Sequence, residues 1–287
     1  MIFRAWTKLA MALWLAAAGA QAEAASEASD RIAVSANGST LTDTNGGAGA
    51  SVAWLHNFNT DALVGIGAEH QAISNAHWTF GSVNGSLSLG TGNQRYSLYA
   101  EAHEGAGDDG PRAFHYSIEA AGVVATYLHR LSLTLEDRQI DIDRTHGNLP
   151  KLGLAYQWTP HLLTSASYAY SVGGNLGTHL TALRVDGYGS IVNLLAGFTF
   201  GQAAPDLIIL LPSAATGCPP GSTAAGCSFK SLQVRRLREG YLGFSKPLSH
   251  GRSELTLVAD YLDLSGSKRA TLTLSYVFHV GHAGKRR

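Results

Sequence analysis

From about residue 31 to the C-terminal region the chain runs in segments of about ten residues in which apolar side chains alternate with small or polar ones, the pattern of a strand wetted on one face only. A period of two belongs to strands because successive side chains leave opposite faces of the backbone. In "KLGLAYQW", Leu152, Leu154, Tyr156 and Trp158 take one face and Lys151, Gly153, Ala155 and Gln157 the other. In "ATLTLSYVFHV", Leu272, Leu274, Tyr276, Phe278 and Val280 alternate with Thr271, Thr273, Ser275 and His279. No helical period competes with this rhythm, and the longest apolar run, Leu207 to Leu211 ("LIILL"), is far below the roughly 20 residues that a spanning helix needs.

Applied throughout, the template gives an all-β chain of about fourteen strands, within a range of about twelve to sixteen, and a transmembrane antiparallel up-and-down β-barrel as the architecture. The joins expected at the outer end are Gly-, Asp- or Pro-rich, as in "TDTNGG", "GAGDDGP", "RTHGN" and the stretch from Gln202 to Lys230. Those expected at the inner end, such as "NTD", "LHR" and "TPH", are terse. Trp54, Trp78, Tyr96, Phe114, Tyr116 and Phe200 are expected on lipid faces or near strand ends, where aromatic side chains gather at bilayer interfaces.

The first residues carry an export signal. Arg4 and Lys8 precede an apolar stretch from Leu9 to Ala20, and small residues follow in "GAQAEAAS", so residues 1–24 read as a cleaved signal peptide and 25–287 as the barrel domain. Export places Cys218 and Cys227 in an oxidising compartment, where the pair is expected to close a disulfide within a long outer loop at about 202–230. The expected location is the bacterial outer membrane. Charged residues are 15% of the chain and the net charge is zero, which points away from nucleic acid. No motif calls for a metal or another cofactor.

The closing strand "TLTLSYVF" is similar to the aromatic-rich last strands of bacterial outer-membrane barrel proteins. The segments "GASVAWLHNFNTDALVGIGAEH" and "YAYSVGGNLGTHLTALRVDGY", followed by "NLLAGFTFG", resemble the YaiO-type barrel family. The resemblance implies an outer-membrane barrel inserted by the barrel-assembly machinery. Nine residues ending in "GKRR" follow Phe278, a departure from barrels that end on the aromatic residue itself.

Charged side chains in such strands belong on the lumen side, because Lys or Arg facing lipid at the bilayer midplane costs about 2–4 kcal/mol. The alternation assigns Glu69, Glu101, His103, His115, Glu119, Lys151, Arg184, Asp186 and Asp260 to the lumen. Arg235, Arg236 and Arg238 cluster where a strand emerges at the outer end, and they are candidates for contact with lipopolysaccharide phosphates. Two functions follow. One is a channel or surface component passing an undefined solute. The other is a barrel enzyme acting on lipid or glycan at the outer leaflet, for which His115 with Ser117, and His179 with Thr178 or Thr181, are the pairs to examine.

Overall fold

A strand pattern that crosses hydrocarbon has to close on itself, because an open edge would leave backbone N–H and C=O groups with neither water nor a partner. The computed structural model meets that condition. It describes residues 29–280 except 42–43, 59–60, 74–75, 91–92, 110–111, 143–144, 204–234, 249–252 and 265–266. The expected signal peptide, both cysteines and Leu207 to Leu211 therefore lie outside the described residues.

The strands are β1 (Ser29–Leu41), β2 (Thr44–Asn57), β3 (Ala62–Ile73), β4 (Ala76–Leu89), β5 (Gln94–Asp109), β6 (Arg112–Tyr127), β7 (Leu131–Ile142), β8 (Thr145–Asn148), β9 (Lys151–Thr159), β10 (Leu162–Tyr170), β11 (His179–Tyr188), β12 (Asn193–Ala203), β13 (Arg235–Leu248), β14 (Ser253–Leu264) and β15 (Ser267–Val280). Each pairs antiparallel with its sequence neighbours, and β1 pairs with β15 from Asp30↔Val280 to Leu41↔Arg269, which closes the ring.

The segments β8 and β9 are one strand. Gln139↔Asn148 and Glu136↔Lys151 lie in a single register against β7. Between them, Leu149 N–H still donates to the Arg138 carbonyl at 2.7 Å, whereas Pro150 has no N–H to give. Counted this way the barrel has fourteen strands.

One end of the barrel holds Ser29 and Val280 and is crossed by connections of two to four residues; it is called the turn end. The other, the loop end, carries 171–178 and 204–234. Its remaining connections are shorter than the sequence reading expects, because "TDTNGG", "GAGDDGP" and "RTHGN" are largely taken into β2, β5 and β8. Ladder pairing serves the backbone as well in water as in lipid, so strands continue past the membrane. The 16-residue β5 and β6 far exceed the 9–11 residues or so that a tilted strand needs to cross.

The outward face carries a belt of Val34, Trp54, Ile66, Leu98, Leu133, Leu154, Leu183, Phe198, Leu242, Leu257 and Leu274, all exposed. Leu152 is 60% exposed and Ile66 53%, values that water would penalise over so continuous a surface and hydrocarbon does not. Tyr96 and Trp158 stand near the turn-end edge of the belt, and Tyr168, Phe200 and Tyr261 toward the loop-end edge, the two positions that aromatic girdles occupy.

Glycine has a particular use on the inner face. Tyr99 lies over Gly122 and Tyr241 over Gly197, where an added Cβ would come within about 2.5 Å of the rings. Phe80 and Tyr116 cover Gly105 in the same way, and Trp78 and Phe114 cover Gly107. Large inward side chains thus pack against glycines of the neighbouring strand.

Candidate functional site

The lumen wall carries charged and apolar groups, and on β5–β9 the charged ones lie at mid-height, tied across strands. Arg138 on β7 donates to Glu101 on β5 at 2.7 Å and lies 3.3 Å from Glu136, while Lys151 on β9 donates to Glu136 at 3.0 Å. The Tyr99 hydroxyl also donates to Glu136, and His103 Nε2 lies 3.7 Å from Glu101. Farther round the ring, Arg184 Nε donates to both oxygens of Asp186 at 2.8 Å, and Arg269 sits 3.8 Å from Asp260. Gln71 donates to the buried Glu69 at 2.6 Å. Charges withdrawn from bulk water in this way must be matched, and Glu101, Glu136, Asp186 and Asp260 each lie within 4 Å of an Arg or Lys, while Glu69 is held by Gln71.

Arg138 is the keystone of the first group, since it stands between two carboxylates. Arg138→Ala is expected to lower stability by about 2–3 kcal/mol, the scale of losing charge-assisted hydrogen bonds in a partly buried setting. Arg138→Lys should restore part of that loss. Denaturant unfolding in detergent micelles reads the difference, and an unchanged midpoint for Arg138→Ala would show the network to be energetically idle.

Toward the loop end the inner wall carries an apolar group, with Glu69 and Gln71 beside it opposite Phe80 and Trp78. Trp78, Tyr116, Ile118, Ile140, Ile142, Leu149, Ala169 and Leu176 form one buried cluster, with Phe80 and Phe114 packed against it. Tyr116, Ile140 and Leu176 have no exposed surface. Phe80 and Tyr116 meet edge to face at 5.7 Å. Leu176 comes from the connection 171–178, which is fastened to β8. Asn175 N–H donates to the His146 carbonyl at 2.9 Å, His146 N–H donates to Asn175 Oδ1 at 2.8 Å, and Asn148 bridges Val172. A smaller apolar group, Leu180, Ala203, Leu237 and Leu262, occupies the same level on β11–β14.

The register places Glu69, Glu101, His103, Lys151, Arg184, Asp186 and Asp260 on the lumen face. His115 and Glu119 belong to the other face. On β6 the inward residues are Phe114, Tyr116, Ile118 and Ala120, and His115 is exposed beside Glu104 at 3.7 Å. Of the aromatics expected on lipid faces or near strand ends, Trp54, Tyr96 and Phe200 face outward, whereas Trp78 and Phe114, each two residues inside a strand end, and Tyr116 face the lumen. One cause explains these inward aromatics and the outward His115 and Glu119. The loop-end halves of β4 and β6 stand above the belt in a polar layer, so their outward face carries His77, Thr79, His115, Ser117 and Glu119 and the apolar set turns inward.

Arg236 and Arg238 are exposed on the outward face near the loop end, whereas the Arg235 side chain lies outside the described residues. His115 and Ser117 share the outward face of β6, where the histidine's contact is Glu104. Thr178 is buried with its hydroxyl donating to the Leu176 carbonyl at 2.9 Å, so it is not aimed at His179. Among the described residues no hydrogen bond joins His115 to Ser117 or His179 to Thr178 or Thr181, and no group of His, Cys, Asp or Glu has the arrangement of a metal site.

Sequence reasoning missed Glu136, Arg138, Tyr99 and Arg269. The signal was present, since Glu136 and Arg138 share a face with Ser132 and Thr134 in "LSLTLEDRQI".

No family model and no curated protein sequence matches the chain. Its fold is similar to solved outer-membrane barrels. A deletion mutant of the TodX monoaromatic hydrocarbon channel superposes with a TM-score of 0.53 at 9% identity, covering 91% of this chain and 92% of that one. The CymD monoaromatic hydrocarbon channel gives 0.52 at 9% identity over 93% and 92%. A Pseudomonas aeruginosa FadL homologue gives 0.52 at 9% identity over 88% and 90%. The chain thus has the fold of bacterial outer-membrane β-barrels.

Proposed function

We propose that the protein is a passive outer-membrane channel for small, uncharged solutes of apolar character. The observation that carries this reading is the inward apolar cluster around Trp78 and Tyr116 at the loop end, set above a mid-height wall whose charges are matched. A wall of matched charges exerts little selection by sign, and an apolar constriction discourages hydrated ions. The barrels it resembles include channels for monoaromatic hydrocarbons, which agrees with that solute class. The segments similar to the YaiO-type family offer a finer placement within such barrels, and "TLTLSYVF" on β15 fits a strand read by the assembly machinery.

The test is transport by the purified barrel in vesicles. A small neutral aromatic solute is expected to equilibrate faster than a sugar or an organic ion of similar size, and planar bilayers should show small currents with weak preference for either sign. Strong cation or anion selectivity, or vesicles as tight as protein-free ones to every solute, would remove the proposal.

A further inference from the structure

We infer that the outward surface of β13–β15, just above the apolar belt, docks the phosphate groups of lipid A in the outer leaflet. The inference rests on the reading of the barrel as an outer-membrane protein. Arg238 lies directly opposite Asp263, and Asp263 directly opposite Lys268, so these three form one row across adjacent strands. Arg236 stands two residues farther out on β13, on the same face. Arg236, Arg238 and Lys268 are exposed, and with Asp263 the described residues of this row carry a charge of 3 − 1 = +2.

The height of the row is set by its neighbours. Phe200 is paired with Arg238, and Tyr261 lies two residues below Asp263 on the outward face. Aromatic side chains of this kind mark the boundary between hydrocarbon and headgroup. The basic groups therefore stand where the lipid A phosphates lie, with Leu242 and Leu257 below them to receive acyl chains.

The far side of the same collar has the opposite character. Above the belt on β5–β8 the outward residues include Glu104, Asp108, Glu119, Asp137 and Asp141, and among the described residues of β5–β9 no Lys or Arg faces outward there. Phosphate is thus directed to one sector of the perimeter. Two guanidinium groups suit it because each can present paired N–H donors to phosphate oxygens.

The experiment uses the whole refolded barrel in neutral detergent and three probes: lipid A with both phosphates, the same lipid dephosphorylated, and inorganic phosphate. Wild type is expected to bind the phosphorylated lipid, R236A/R238A about tenfold or more weakly, and E104Q/E119Q as wild type does. Equal affinity of wild type and R236A/R238A, or equal affinity for the dephosphorylated lipid, would overturn the inference. Inorganic phosphate competing at the lipid's own affinity would overturn the commitment to a lipid. Failure of the membrane reading is recognised separately, as loss of heat-modifiable migration by the unliganded wild-type protein.

Discussion

Truncating Trp78 to alanine is expected to cost about 3–5 kcal/mol of unfolding free energy and, in the same molecule, to speed the passage of small solutes. The stability loss follows from burial. Trp78 is 1% exposed in a cluster with Tyr116, Ile118 and Ile140, and its Cβ packs beside Gly107. Removing the indole from closely packed surroundings forfeits its transfer free energy and leaves a void that a ring of hydrogen-bonded strands cannot easily collapse. The gain in flux follows from position, since the cluster lies on the lumen side at the loop end. Guanidinium unfolding in micelles and single-channel recording supply the two readouts. A variant that loses stability without any change in flux would show the cluster to be structural filling and would count against its part in selecting solutes.

The architecture was legible because the physical rule behind it is local. Alternation at "KLGLAYQW" and "ATLTLSYVFHV" needs no knowledge of distant residues, and the even strand count follows from closure. Extent was less legible. A strand of 16 residues such as β5 looks like a crossing strand followed by a Gly- and Asp-rich loop, because the sequence does not mark where hydrocarbon ends and paired backbone continues into water. Pro150 illustrates a related difficulty. It interrupts the ladder bonding of one strand without shifting its register, so an interruption in the hydrogen bonds is not an interruption in the wall.

Facing was the weaker part of the reading, for a reason that His115 and Trp78 make plain. A period of two sorts side chains into two sets and does not say which set meets lipid. The rule that charge belongs on the lumen side has force only within the bilayer, the level of the inward Glu101 and Lys151. Above it both faces are wet, and the outward one carries His115 and Glu119 at no membrane cost. The keystone role of Arg138 could not be seen from sequence at all, because it depends on Glu101 reaching across β6, 37 positions away in the chain.

Depth within the belt gives the sharpest test of the membrane assignment. Leu274 stands near the middle of the outward series Ala270, Leu272, Leu274, Tyr276, Phe278, Val280, flanked by Leu257 on β14 and Ala36 on β1. Leu274→Arg therefore places a guanidinium in hydrocarbon with no partner, and the expected cost is about 2–4 kcal/mol. Val280→Arg puts the same group at the turn-end edge, where it reaches the headgroups, and should cost about 0–1 kcal/mol. Both positions are outward and exposed, so in plain water the two substitutions would be equally harmless. Reversible unfolding of each variant from phospholipid bilayers measures the contrast. A difference of several kcal/mol can arise only if the face carrying Leu274 meets lipid and the strand runs through it, whereas equal costs would mean that this surface is covered by something other than a membrane.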